Sequence, residues 1–257
     1  MSSPLKRAAL AIRSLVSAND KSFFASEKYK RIYHVHVRKC GGTSVNMMFL
    51  KALSEDGNAQ ETYDALSRHP THRVECSGVP IVAWSKAQIE SGAFGYGFSH
   101  IPFHELDLPR GTYTFLLLRD PAARVLSHYS MLRYFIDNDI AHPCLKTEGH
   151  WAADGFDRFL ERVPRAHLER QVYTFDPDCD LDKALDGVAR VSNVKVLANL
   201  DSLVADINDE FQLNLAPIHT RKASNPFRPD DSQRQRLEAL LENEYRFLER
   251  VRRERVI

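Results

Sequence analysis

Two short stretches of this chain combine residue types that suit phosphate binding. In the first, Val37-Arg38-Lys39-Cys40-Gly41-Gly42-Thr43-Ser44, a lysine and two glycines separate a strand-like segment from a helix-like one. Glycine lets the backbone turn tightly and approach an anion closely. Thr43 and Ser44 stand where a helix would begin, and a helix N-terminus beside a lysine forms an anion site. Lys39 precedes the glycines, so the spacing is not the G-x-x-x-x-G-K-[ST] pattern. The same residues also fit a plain tight turn closed by a capping hydroxyl. In the second stretch, Arg119 ends an apolar run, Pro121 opens a helix and Ser127 follows Arg119 by eight residues. An arginine and a serine converging on one phosphate supply charge and directed hydrogen bonds. The alternative is a surface pair of Arg119 or Arg124 with Asp120 and a serine facing solvent; for Arg124 a structural role is expected.

Both stretches need an element that ends at the right place. Residues 31–37 (RIYHVHV), 79–83, 94–101, 113–118 and 194–198 read as strands from their apolar, β-branched and aromatic content. VNMMFLKAL, the stretch from Pro121 to about Phe135, the segment carrying Leu200, Leu203, Val204 and Ile207, and a charged stretch over about 231–254 read as helices. Strands alternating with helices predict an α/β, P-loop-like three-layer fold with a central parallel sheet flanked by helices. Ligands bind at the carboxyl ends of such strands, where the segments after Val37, Ile101 and Leu118 lie. His34 and His36 fall on one strand face; without a third ligand at matching spacing they read as sheet-face residues rather than a metal pair.

The 257 residues are 43% hydrophobic and 27% charged, which argues against disorder and coiled coil. The length suits one domain over 1–257, with 1–30 as an N-terminal helical extension and 136–192 as a mainly helical insertion. Thirty-five Lys+Arg against thirty-four Asp+Glu leave a net charge of +1, which argues against a nucleic-acid partner. Cys40, Cys76, Cys144 and Cys179 form no C-x-x-C pair, so they read as reduced thiols of a cytoplasmic protein. No apolar run approaches the roughly 20 residues of a membrane helix. Cys40, beside Lys39 and a helix start, is expected to be a thiol of lowered pKa, hence sensitive to oxidation.

The Lys39-x-Gly-Gly-Thr-Ser loop resembles the 5′-phosphosulfate loop of sulfotransferases, and Arg119-Asp-Pro-x-x-Arg…Ser127-x-Tyr129 resembles their 3′-phosphate motif. The order of these motifs, with GYGFSHIPF and VKVLANLDSLVADI, is similar to the carbohydrate sulfotransferases, nearest the heparan sulfate 2-O-sulfotransferase-like group. The resemblance implies 3′-phosphoadenosine-5′-phosphosulfate (PAPS) as donor, no metal, and a hydroxylated acceptor, most readily a glycan. It implies Lys39 on the bridging oxygen, the backbone of Cys40, Gly41, Gly42, Thr43 and Ser44 on the 5′-phosphate, and Arg119 and Ser127 on the 3′-phosphate. Arg38, Arg221 and Lys222 would add donor contacts, although Arg38 can equally face away and 221–222 can equally be a solvated loop.

His100 matches the general base of that group, with His104 and Glu105 as reserves; a histidine capping a strand end is the alternative. Two departures stand out: Arg38-Lys39-Cys40 replaces the family's Pro-Lys-Thr, and Phe98 occupies the first position of its His-x-His pair. His142, Lys146, His150, Trp151, Arg158, Arg162, Arg165 and Arg170 fit either an acidic-sugar cleft or a solvated helix face. Rival readings are a P-loop-type kinase, with Asp120 as a metal-holding carboxylate, and a non-catalytic nucleotide- or glycan-binding module.

Overall fold

The computed structural model describes residues 22–54, 56–218 and 227–255. Arg221, Lys222 and residues 1–21 of the expected N-terminal helical extension therefore lie outside the described residues. Six strands form one sheet in the order β2-β3-β4-β1-β5-β6. They are β1 (Arg31–Val35), β2 (Arg73–Cys76), β3 (Val79–Ala83), β4 (Tyr96–Ser99), β5 (Thr112–Leu118) and β6 (Asn193–Val196). β1 lies between β4 and β5 and runs parallel to both, His34 pairing with Phe98 on one side and Phe115 on the other. Every residue of β1 is buried, as a strand covered on both faces and both edges requires.

The helices are α1 (Gly42–Leu53), α2 (Ala59–Arg68), α3 (Lys86–Ser91), α4 (Pro121–Asp137), α5 (Leu145–Ala152), α6 (Phe156–Arg162), α7 (Arg165–Leu168), α8 (Arg170–Tyr173), α9 (Leu181–Ala189), α10 (Leu200–Phe211), α11 (Asp231–Leu240) and α12 (Glu242–Arg255). The predicted α/β architecture is present: helices flank a mostly parallel sheet. One correction concerns its edge. β2 was not foreseen, and it pairs antiparallel with β3. Ser77 and Gly78, with φ of 50° and 76°, form the two-residue turn that joins them, as a hairpin turn of this length demands.

Two further expectations need revision. Residues 22–30 contain no helix; Phe24 and Tyr29 instead pack edge-on against Phe211 and Tyr113 at 5.6 and 5.0 Å. The stretch over 231–254 is two helices, parting at Leu241. The break lets one sequence serve two cores: Leu237 and Leu241 enter a cluster with Tyr129, Trp151 and Phe159, while Phe247, Leu248 and Val251 join the sheet core. Residues 136–192 divide likewise. Trp151 to Val163 build the smaller cluster, whereas Val172 to Val191 pack on the sheet.

From β1 the chain passes through α1 and α2 to the sheet edge at β2, returns inward through β3 to β4 beside β1, then crosses to β5 and β6 on the other side. That reversal puts a crevice at the carboxyl end of β1, the place where such sheets bind ligands.

Candidate functional site

A cleft of about 1240 Å³ opens there. Residues following five of the six strands line it: His36, Arg38, Lys39 and Gly41 to Ser44 after β1, Trp84 after β3, His100 after β4, Arg119 after β5 and Leu197 after β6. The two stretches singled out in the sequence thus meet. Arg119 donates from Nη1 to the Lys39 carbonyl at 3.0 Å, and Ser127 faces the same cleft from α4.

The loop before α1 has a clear steric logic. Gly41 has φ of 83°, a conformation that glycine adopts without strain. Gly42 has ordinary φ but no room, since a Cβ there would fall inside the His36 imidazole. Lys39 also has positive φ, 68°, so the loop is held in a conformation uncommon for a side-chain-bearing residue. α1 begins with no side-chain cap. Its first turn, Gly42 to Ser44, lines the cleft, so the positive end of the helix is offered to whatever binds there.

Cys40 departs from expectation. It does not line the cleft, and its N–H donates to the Val37 carbonyl at 3.3 Å within the turn. Its thiol is buried and contacts Gln171 Oε1 at 3.6 Å. Burial pushes the thiol up to about 12, although the Arg124 and Arg119 charges oppose the shift. The expected low-pKa, oxidation-prone thiol is corrected: desolvation outweighs the helix start and the lysine.

Arg38 lines the cleft while pairing with Glu148 of α5, whose other oxygen accepts from His128 Nε2 at 2.8 Å. Burial would raise Glu148, but hydrogen bonds from His128 and Arg38, with the Arg38 charge, hold its carboxyl down to about 2. Donor atoms of His128, Glu148 and His167 lie within 4.8 Å of one another, the spacing of a metal site. Both Glu148 oxygens are already engaged, one by the Arg38 guanidinium and the other by the His128 imidazole. Beneath Arg119 lies a second buried network. Gln171 Oε1 accepts the Arg119 N–H at 2.8 Å, and Gln171 Nε2 donates to Glu244 at 2.7 Å. Arg124, 1% exposed, donates to the His167 and Leu168 carbonyls, the structural role expected of it.

His100 is half-buried at the cleft wall. Its Nδ1 lies 2.9 Å from the His36 carbonyl. A carbonyl only accepts, so Nδ1 carries the proton and the neutral ring keeps its lone pair on Nε2. Burial, with the charges of Arg38 and Arg170, lowers His100 to about 4 against the opposing effect of that hydrogen bond. His104 and Glu105 sit on a 3-10 turn outside the cleft lining.

Of the residues over 140–175 considered for an acceptor surface, His142 and Arg170 line the cleft. Arg170 also donates to the His100 carbonyl at 2.6 Å. Arg158, Arg162 and Arg165 are spent on ion pairs with Glu161, Asp154 and Glu169, and Trp151 belongs to the smaller core. Sequence reasoning missed Tyr63 and Trp84, which meet edge-on at 5.6 Å and line the cleft. Trp84 has φ of 52°, strained for a bulky residue. Its place directly after β3 was the available signal. Asp120 caps α4, accepting from the Ala123 N–H at 2.8 Å, which engages the carboxylate the kinase reading requires.

No protein-family model matches this chain, and no curated protein matches it. Among solved structures, it is similar to the crystal structure of a sulfotransferase from Alicyclobacillus acidocaldarius, at 13% identity and a TM-score of 0.35. The match covers 82% of this chain and 95% of that one. Among the described residues no helix is long and apolar enough to cross a membrane.

Proposed function

We propose that this chain is a PAPS-dependent sulfotransferase that moves a sulfuryl group to a hydroxyl of a carbohydrate-type acceptor. The observation that carries the reading is the convergence of Lys39, the uncapped start of α1, Arg119, Ser127 and His100 on one cleft. Gly41 and Gly42 leave room for Leu197 and His36 against the loop, and the uncapped start of α1 opens on the cleft, a setting that suits an anion. In this reading the N–H groups at the start of α1 hold the 5′-phosphate, and Arg119 and Ser127 hold the 3′-phosphate. Arg221 and Lys222 would join them from beyond the described residues.

The chemistry is an in-line displacement. The acceptor oxygen forms a bond to sulfur as the bond from sulfur to the bridging oxygen breaks. Lys39 stabilises the negative charge that collects on the bridging oxygen, where a cation lowers the barrier most. The acceptor proton passes to His100 Nε2, whose lone pair is set by the His36 carbonyl. At about 4 the imidazole is neutral and ready to accept, though a weak base. The anionic donor, seated beside it, offsets the Arg38 and Arg170 charges and raises its basicity. Tyr63 and Trp84, set at right angles to each other, give the cleft aromatic surface against which a sugar ring would pack, and Arg170 adds a cation to the same lining.

Calorimetric titration with 3′,5′-adenosine bisphosphate (PAP), ADP and ATP tests this. Preferred PAP binding that is lost in Arg119→Ala supports the assignment. Preference for ATP, or no PAP binding by folded protein, refutes it.

A further inference from the structure

His36 is the one imidazole of the β1 row that reaches the cleft. It stacks on His34 at 4.8 Å and lies 4.1 Å from His100, ring centre to ring centre. Its Nδ1 faces Asn46 Nδ2 at 3.4 Å. Asn46 is buried on α1, and its Oδ1 receives both the Tyr96 hydroxyl at 2.8 Å and His34 Nδ1 at 2.7 Å. The oxygen is therefore committed to two donors, and the amide N–H is turned towards His36. An N–H donor requires a lone pair on His36 Nδ1, so the neutral ring carries its proton on Nε2. That Nε2 edge occupies the space that a Cβ of residue 42 would need. It sits against the first residue of α1, where the helix offers its N–H groups.

We propose that His36 is an anion-contacting residue, donating from Nε2–H to the phosphosulfate group held by the glycine loop, with Asn46 as the positioning residue that fixes its tautomer. The inference deepens the sulfotransferase reading and rests on it for the identity of the anion. No proton leaves His36 in the reaction; it supplies one neutral, directed donor. Neutrality suits the place, because Arg38 and Lys39 already crowd it with positive charge and a second cation would be repelled. The absence of a side chain at Gly42 has its explanation here: the loop keeps a glycine so that an imidazole can stand beside the bound anion.

The test uses the full chain with His36→Gln, His36→Asn and His36→Ala. Glutamine places an amide near the former Nε2 position, whereas asparagine places it near Nδ1. Titrations use PAP and, without acceptor, PAPS. Alanine and asparagine should weaken both ligands by about tenfold or more, and glutamine should hold affinity within about threefold. In the unaltered protein, nitrogen-15 spectra of the imidazoles should show His36 protonated at Nε2, with that signal moving on addition of PAP. Equal affinities across the series, or a proton on Nδ1, overturn the proposal even if an alanine variant folds poorly. If the unaltered chain prefers ATP to PAP, the sulfotransferase reading fails by itself. The same series titrated with ATP then decides the His36 contact.

Discussion

Replacing Gly42 with alanine should destabilise the protein through His36 rather than through the helix. A Cβ at residue 42 would fall inside the imidazole. The ring can retreat only towards the cleft, since His34 lies at 4.8 Å on one side and His100 at 4.1 Å on another. Overpacking a site of this kind costs about 1–3 kcal/mol. Alanine returns at most about 1 kcal/mol of helix propensity, and less at the first helical residue than in an interior. The net cost is about 1–2 kcal/mol, or a fall in Tm of roughly 2–8 °C for a chain of this size. Thermal and urea unfolding of Gly42→Ala, His36→Ala and the double variant measure it. The double variant should be more stable than the sum of the singles predicts, because removing the ring removes the clash. A coupling of about 1–3 kcal/mol is expected for groups in direct contact. Wild-type stability in Gly42→Ala, or strict additivity in the cycle, would refute the steric argument. The same variant should also bind PAP more weakly, since the loop must shift to admit the methyl group.

Three further outcomes are expected. His34, His36, His100 and His128 are all held below the ordinary histidine value by burial first. Between pH about 6.5 and 4 the unfolded chain therefore binds more protons, and stability should fall as pH drops, by up to roughly 1.4 kcal/mol per pH unit for each proton taken up. Urea midpoints at pH 7.5, 6 and 5 check this; a flat profile would count against four buried neutral imidazoles. His100→Asn should lower the rate of sulfuryl transfer by about 10²–10⁴ while leaving PAP affinity within a few-fold, in a labelled-donor assay with a carbohydrate acceptor panel. An undiminished rate would remove His100 as the base. Cys40 and Cys179, both buried and pushed up to about 12, should resist a thiol reagent at pH 8 while the half-buried Cys76 and Cys144 react, as read by mass spectrometry. Rapid labelling of Cys40 in folded protein would contradict its burial.

Periodicity and local chemistry specify several elements without help from the rest of the fold. β1, β3 and β5 are largely apolar runs with sharp punctuation, and Pro121 with the Asp120 cap leaves little freedom in where α4 begins. The glycine loop was legible as a tight turn between a strand and a helix, with an anion seat and a plain capped turn as its two readings. The short edge strand β2 was not foreseen, although Ser77-Gly78 marked its turn, because a four-residue strand with no buried residue carries almost no apolar signal.

Tertiary structure alone decided what each site residue faces. Cys40 and Lys39 are neighbours in sequence, yet the turn buries one thiol against Gln171 and sets the other side chain in the cleft. Arg38 is paired at the cleft wall with Glu148, a residue 110 positions away that no local pattern could link to it. His36 gave only the alternation of a strand face; its place beside the loop depends on Gly42 and Asn46 of α1 folding back across β1. The physical reason is common to all three. A residue type and its spacing fix what a side chain can do, but desolvation, tautomer and pairing are set by groups that meet only when the sheet and helices close around them.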